Sequence, residues 1–287
     1  MVALRLGCNT VGFRRLPLEE ALEHVARAGF RYVEIEGNLS WCSHADPWTD
    51  DPKEFRAMIE RHGFVGVSAL SSHRELITDP DALPDIKQAL RWASAAGVPV
   101  VNTGEGRLPD GMTEKEGLAV VGERLLELVR IAEEERVILA LEPHGSISLS
   151  PGGLARITSL VRSPWLGVNF DTANPRRGDY VGTTRAGFEW KLNESKRGDE
   201  VATLSTVAEL VRHVHVKDVI GRRATPLGAG EIDLRRCLEI LSSHGFNGVL
   251  SYQTEGEDTP ERSDEMMVES RLYLERMLQD VGASVTA

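Results

Sequence analysis

The chain has 287 residues, of which 41% are hydrophobic and 27% are charged, as in an ordinary globular protein with a sizeable core. Its formal net charge of −11 disfavours nucleic acid as a partner, because an acidic surface repels phosphate backbones. The sequence contains no run of about 18 apolar residues, so we predict no transmembrane helix and no membrane partner.

The cysteines and the N-terminus give no sign of an extracellular protein. The three cysteines, Cys8, Cys42 and Cys237, are odd in number and far apart, which predicts neither a disulfide framework nor a thiolate zinc site. Residues 1–9 lack the charged and apolar pattern of a signal peptide. We therefore predict a cytoplasmic protein.

Short apolar runs alternate with longer amphipathic stretches along the whole chain. Eight runs are predicted to be strands: Leu4–Cys8, Tyr32–Glu36, Val65–Ala69, Val98–Asn102, Val137–Glu142, Leu166–Asp171, His213–Lys217 and Gly248–Gln253. Apolar residues at three- and four-residue spacing predict helices between them, as in the stretch from Leu18 to Ala26. Several helices are predicted to end on a glycine that suits the left-handed closing position: Gly29, Gly63, Gly97 and Gly245.

Eight strand–helix repeats predict a parallel sheet with right-handed crossovers. We predict a closed (β/α)8 TIM barrel, an α/β fold, forming one domain over residues 1–287. The alternative is an open doubly wound sheet, but no GxGxxG motif follows the first strand.

One segment, residues 175–198, is too long and too polar for a simple connection. It follows the sixth strand, so it is expected at the carboxyl-terminal face, where TIM-barrel active sites lie. Phe188 and Trp190 within it are costly to leave in water, which favours a substrate-contacting loop over a surface loop without function.

Polar side chains end four consecutive predicted strands. They are Glu142 and His144 after the fifth, Asp171 and Asn174 after the sixth, His213, His215 and Lys217 on the seventh, and Gln253 and Glu255 on the eighth. Oxygen ligands with one imidazole suit a divalent metal ion: Mn²⁺, Mg²⁺ or Co²⁺, with Zn²⁺ as a further option. Any one of these residues alone could be a surface charge or a satisfied core group, but buried carboxylates at Glu142 and Asp171 need a partner.

The phrases LEPHG, GVNFDTANP, HVHVKD and PLGAGEID resemble the xylose-isomerase-like TIM barrels, the sugar phosphate isomerase/epimerase superfamily. The resemblance runs from Leu6 to about Leu278. It implies one divalent ion, Mn²⁺ first among the candidates, held by Glu142, Asp171 and His215. His213 is expected to support the site from one layer deeper.

The fourth ligand is where this sequence departs from the family, which usually has a glutamate at the position of Gln253. Gln253 is predicted to ligate through its carbonyl oxygen, with Glu255 on the same strand face as the alternative.

This departure leaves the mechanism open. In family isomerases and epimerases two metal-bound glutamates flank the substrate, and proton transfer beside a carbonyl passes through an enediolate. Here Glu142 remains, and the second acid/base group is predicted to be His144 or Glu255. A single base would favour isomerisation or β-elimination over two-base epimerisation.

Further residues are predicted to line the substrate site. Lys217 and Arg222 resemble the family's substrate-contacting positions, although Lys217 could instead form a salt bridge inside the barrel with Glu142 or Asp171. The remaining candidates for substrate binding are Asn174, His73, Glu36 and Trp190. Asn102 and Glu105 are expected to line the site without an assigned role.

We therefore expect a divalent-metal-dependent isomerase or epimerase of a sugar, an inosose or a keto-polyol, with homo-oligomerisation left open. A lyase or hydratase acting on an oxidised sugar is the alternative. An abasic-site endonuclease is disfavoured, because Asn174 stands where its motif has histidine and the chain has only eight histidines. A non-catalytic sugar-binding barrel is supported by Gln253 alone.

Overall fold

The computed structural model describes residues 3–37, 42, 44–177, 198–221, 223–254, 259–282 and 284–285. Four residues singled out in the sequence lie outside the described residues: Phe188, Trp190, Arg222 and Glu255. So does most of the long segment after the sixth strand.

Eight parallel strands form a closed barrel. In chain order they are β1 (Ala3–Asn9), β2 (Tyr32–Glu36), β3 (Gly66–Glu75), β4 (Val100–Gly104), β5 (Ile138–Leu141), β6 (Leu166–Asp171), β7 (Val211–Val216) and, after a hairpin, β10 (Val249–Tyr252). Each strand pairs with the next, and β10 pairs with β1 to close the ring, with Arg5 opposite Val249. The predicted TIM barrel is confirmed.

Helices surround the barrel. They are α1 (Leu18–Arg27), α2 (Pro52–Arg61), α3 (Ala82–Ala96), α4 (Glu114–Glu135), α5 (Gly153–Thr158), α6 (Asn174–Arg177), α7 (Glu200–Val207), α8 (Leu234–Ser243) and α9 (Pro260–Asp280). Short 3₁₀ turns occupy Thr10–Phe13 and Ala208–Leu210. None of the described helices is both long and apolar enough to cross a membrane.

Local sequence signals fix the ends of several helices. The four predicted closing glycines all have positive φ, between 72° and 87°: Gly29, Gly63, Gly97 and Gly245. At the N-terminus of α4, Thr113 and Glu116 form a reciprocal capping box. These short-range signals end or begin the helices concerned, so that the chain can turn back towards the next strand.

Two elements were not predicted from the sequence. A small antiparallel hairpin, β8 (Asp218–Ile220) and β9 (Arg223–Thr225), follows β7, and β11 (Ser284–Val285) pairs with the start of β1. The buried Asp218 carboxylate accepts hydrogen bonds from the backbone N–H groups of Gly228, Gly230 and Ile232. The PLGAGEID phrase is therefore a loop wrapped around this one carboxylate.

The main hydrophobic core fills the space between helices and barrel, whereas the barrel interior holds only a small apolar cluster of Ala69, Val100 and Ala140. Ala140 precedes Glu142 by two residues, and alternate strand residues share a face. The small apolar cluster thus lies in the interior of the barrel, and buried polar side chains occupy the interior towards the carboxyl ends of the strands.

Candidate functional site

Three of the predicted metal ligands converge inside the carboxyl-terminal end of the barrel. Ligand atoms of Glu142, Asp171 and His215 all lie within 4.8 Å of one another. His215 Nδ1 is 3.4 Å from Glu142 Oε1 and 3.8 Å from Asp171 Oδ2. All three side chains are buried, so the group forms an enclosed, acidic cluster. We call it the Glu142–Asp171–His215 cluster.

Asp171 is held rigidly at the end of β6. Its Oδ1 accepts hydrogen bonds from the backbone N–H groups of Ala173 and Asn174, both at 2.8 Å. Its Oδ2 lies 2.7 Å from the buried ammonium of Lys217. Burial alone would raise the pKa of Asp171, but the nearby charges of Lys217 and His215 outweigh it and hold that pKa well below its usual range. Asp171 is therefore a carboxylate at neutral pH.

Several buried oxygens of this region lack a hydrogen-bond donor among the described residues, and Glu142 and Gln253, two of the predicted metal ligands, each carry one. Asn174 Nδ2 donates to Glu142 Oε1 at 3.0 Å, but none of the described residues donates a hydrogen bond to Glu142 Oε2 or to Gln253 Oε1. Gln253 follows β10 directly and is 3% exposed. Buried oxygens without donors are costly unless a cation or ordered water satisfies them. The donor set of three oxygen-bearing side chains and one imidazole fits a divalent ion.

The sequence reasoning missed Glu34, a fully buried carboxylate on β2. Its Oε1 lies 2.7 Å from His215 Nε2, on the side of the ring opposite the cluster. Burial would raise the pKa of Glu34, yet the charges of His215 and His213 lower it to about 2. The signal was present in the sequence: Glu34 and Glu36 alternate with Val33 and Ile35, which places two carboxylates on one face of an apolar strand.

The histidines of the HVH phrase, His213 and His215, contact different sets of buried side chains. His213 Nδ1 lies 3.0 Å from Asn169 Oδ1, and its Nε2 lies 3.2 Å from Ser68 Oγ. Burial lowers the pKa of His213 to about 4, so its ring is neutral. Burial also acts to lower the pKa of His215, but the negative charges of Glu34 and Glu142 raise it well above its ordinary value.

A second group of buried side chains flanks Glu142. His73 Nδ1 lies 3.0 Å from His144 Nε2 and 3.6 Å from Glu142 Oε2, and His73 Nε2 lies 3.8 Å from Glu36 Oε2. A Cβ on Gly104 would come within 2.3 Å of the His144 ring, so the imidazole rests directly on the β4 backbone. The structure thus brings three predicted site residues together beside the cluster: Glu36, His73 and His144.

Two further inward candidates have structural partners. Asn102 Nδ2 donates to Glu34 Oε1 at 2.7 Å. The buried Glu105 carboxylate accepts from the backbone N–H groups of Ile147 and Ser148, at 3.0 and 2.7 Å. Burial raises the pKa of Glu105 to about 7 even though these hydrogen bonds lower it. Glu105 therefore anchors the loop that follows Glu142 and His144.

The structure also places Lys217 in the salt bridge with Asp171 that the sequence left as an alternative to substrate contact. Asn174 contacts Glu142 through its amide and contacts Asp171 through its backbone. The predicted positions of Arg222, Trp190 and Glu255 stay predictions, because all three residues lie outside the described ranges.

Comparison with known proteins agrees with this geometry. The sequence model of the family described as xylose isomerase-like TIM barrel matches residues 22–277. The chain belongs to that family.

A sequence relative and several structural neighbours carry isomerase and epimerase names. A mouse (Mus musculus) protein named putative hydroxypyruvate isomerase is 24% identical over 272 residues, covering 86% of this chain and 88% of the mouse protein. The structure of L-ribulose 3-epimerase has a TM-score of 0.75 at 16% identity, covering 97% of this chain and 95% of that one. This family member is accordingly an enzyme.

A third neighbour was solved with a metal ion. It is a xylose isomerase-like TIM barrel protein from Mycobacterium smegmatis in complex with magnesium. Its TM-score is 0.72 at 18% identity, and the match covers 98% of this chain and 99% of the neighbour's chain. At such identities the structural likenesses show the shared fold.

Proposed function

We propose that this family member is a divalent-metal-dependent isomerase or epimerase of a sugar, an inosose or a related keto-polyol. The observation that carries the proposal is the Glu142–Asp171–His215 cluster, buried at the carboxyl-terminal end of the barrel next to oxygens that lack donors. The isomerase and epimerase names of the relatives support the same reaction class.

The proposed ion is held by Glu142, Asp171, His215 and the carbonyl oxygen of Gln253. Mn²⁺ is our first candidate, since hard oxygen ligands with one imidazole suit it, and Mg²⁺, Co²⁺ and Zn²⁺ also fit such a set. When bound, the ion supplies positive charge that stabilises an oxyanion beside the reacting carbon.

The chain's own residues supply proton transfer and positioning. Glu142 and His144 are proposed to exchange the proton on the carbon next to the substrate carbonyl, giving an enediolate of the sugar. His73 contacts both of these side chains and is proposed to bind substrate together with Glu36, because His73 also pairs with Glu36 and all four side chains are buried. Lys217 and Asn174 hold the carboxylates of Asp171 and Glu142 in place.

A metal-dependent lyase or hydratase acting on an oxidised sugar is the second candidate. It is favoured by Gln253, because an amide at this position cannot exchange a proton and a β-elimination needs only one base. The same ion would stabilise the enolate in that reaction.

Two variants test the proposal. Glu142→Ala and His215→Ala should each remove the bound ion and lower activity by at least about 10²-fold, the smallest effect usual for loss of an acid–base group. Metal content by elemental analysis and turnover on a sugar panel are the readouts. His62→Ala, at the end of α2, is the control and should retain both. A metal-stripped wild-type enzyme with full activity would show the proposal to be wrong.

A further inference from the structure

The layer beneath the Glu142–Asp171–His215 cluster contains a carboxylate to which the proposed function gives no role. Glu34 on β2 meets His215 on β7 across the barrel, with Oε1 2.7 Å from Nε2. The other ring nitrogen, Nδ1, faces Glu142 Oε1 and Asp171 Oδ2. The imidazole of His215 thus lies between Glu34 and the two carboxylates proposed as metal ligands, Glu142 and Asp171.

Glu34 is itself held in a single orientation. Ser71 Oγ donates to Oε1 at 2.9 Å and Asn102 Nδ2 donates to it at 2.7 Å. His213 Nε2 lies 3.8 Å from the second oxygen, Oε2. The two donors, Ser71 and Asn102, come from different strands, β3 and β4, so the Oε1 atom has little freedom to turn away from the His215 ring.

Asn169 is a further described neighbour of the ring and lies near both of its nitrogens. Asn169 Nδ2 lies 3.1 Å from His215 Nε2 and 3.3 Å from Nδ1. An atom almost equidistant from both ring nitrogens does not lie along the lone pair of either one. The orientation of His215 is therefore determined by what lies at its two edges.

A carboxylate can only accept hydrogen bonds. The Nε2 atom of His215 must therefore carry a hydrogen, which it donates to Glu34 Oε1. An imidazole that binds a cation is neutral, and with a proton on Nε2 its lone pair is on Nδ1. We infer that Glu34 is a positioning residue, which fixes the His215 ring so that Nδ1 is the nitrogen offered to a divalent ion. Partners of this kind orient metal-binding histidines and strengthen their donation.

This inference rests on the proposed function, since it takes the ion to lie among Glu142, Asp171 and His215. The test measures the dissociation constant of Mn²⁺ by competition with a chelator, together with the melting temperature of the metal-free protein. Glu34→Gln removes the charge, while Glu34→Asp keeps the charge but withdraws the acceptor from Nε2 by one methylene. Both should weaken Mn²⁺ binding by about tenfold or more.

Glu36→Gln is the matched control, because Glu36 lies on the same strand face, is equally buried and, among the described residues, pairs with His73 where Glu34 pairs with His215. It should change the dissociation constant of Mn²⁺ by less than about threefold, a third of the smallest loss usual for an orienting partner. Metal-free melting temperatures should stay close to that of the wild type in Glu34→Asp and Glu36→Gln.

Nuclear magnetic resonance of the zinc-loaded protein gives a second readout. The remaining ring proton of His215 should be on Nε2, and a proton on Nδ1 would overturn the inference. A wild-type dissociation constant of Mn²⁺ in Glu34→Asp would also overturn the inference, because a negative charge would then be enough for tight binding whatever its position. This variant decides the question if Glu34→Gln does not fold. A wild type that binds no divalent ion would instead contradict the proposed function, and the inference with it.

Discussion

Two carboxylates on β2 show how strongly the environment of a single residue sets its charge. Glu34 and Glu36 are both fully buried and only two residues apart. Burial acts to raise the pKa of Glu34, but its interactions with the neighbouring imidazoles, His215 foremost, lower it to about 2, whereas burial and the charge of Glu34 raise the pKa of Glu36 to about 8. At neutral pH Glu34 is therefore ionised and Glu36 is mostly protonated, so Glu36 carries a hydrogen that it could donate in the substrate-binding role proposed for it.

At position 253 the glutamate expected from the family resemblance can be restored by substitution of Gln253. Gln253→Glu should keep the bound ion, because a carboxylate ligates at least as well as an amide oxygen. It adds a negative charge to a site that already holds Glu142 and Asp171, and like charges raise each other's pKa. The acidic limb of the pH–activity profile should therefore move to higher pH. An unchanged profile with retained metal would show that residue 253 does not belong to the ligand set.

The second acid–base group is tested by a pair of variants. Loss of a general base typically lowers the rate by about 10²–10⁴-fold. The loss of rate in His144→Ala should fall in that range, since His144 lies two residues after the proposed ligand Glu142 and contacts His73. Glu255→Gln should lower kcat by less than His144→Ala does. The measurement is kcat for each variant on the preferred sugar. If Glu255→Gln abolishes turnover while His144→Ala is nearly silent, a two-carboxylate epimerase mechanism is supported instead.

At the scale of elements, the β5–α5 loop is tied to β4 by one titrating carboxylate, Glu105. Its pKa in the folded protein is about 7, above the 4.5 of the free side chain. Between these values the folded state binds more protons than the unfolded state, so stability falls as pH rises from about 4.5 through about 7.

Glu105→Gln should remove this dependence. Relative to the variant, the wild type should lose about 1–3 kcal/mol of unfolding free energy between pH 5 and pH 8. Denaturant unfolding of both proteins at the two pH values measures the difference. A gap between the two proteins that does not vary with pH would contradict the raised pKa.

The elements themselves were largely predictable, because strand and helix periodicity and closing glycines are local signals. The bounds of β2 and β6 agree with the prediction, but β3 continues to Glu75 instead of ending at Ala69. That extension carries His73 within the strand towards Glu142. The hairpin after β7 was missed, since its two strands have three residues each and no apolar alternation over such a length can identify them.

At the scale of the whole molecule, the barrel brings together residues that are far apart in the chain. Glu34 and His215 are 181 residues apart and in contact, and His73 and His144 are 71 apart. Because parallel strands end at one rim, the strand ends predicted that two carboxylates and an imidazole would converge, and the family resemblance selected His215 as the imidazole. Contacts across the barrel, such as the one that revealed Glu34, depend on register and shear, which no local pattern contains.

The central claim is that an ion in the Glu142–Asp171–His215 cluster enables proton transfer next to a carbonyl. The most direct measurement compares Mn²⁺-loaded and metal-stripped enzyme in D₂O, across a panel of ketoses and inososes, by following deuterium incorporation and interconversion. We predict that the loaded enzyme interconverts at least one of these sugars and that the stripped enzyme does so at least about 10²-fold more slowly, with recovery on adding Mn²⁺ back. Equal rates in the two forms would contradict the account.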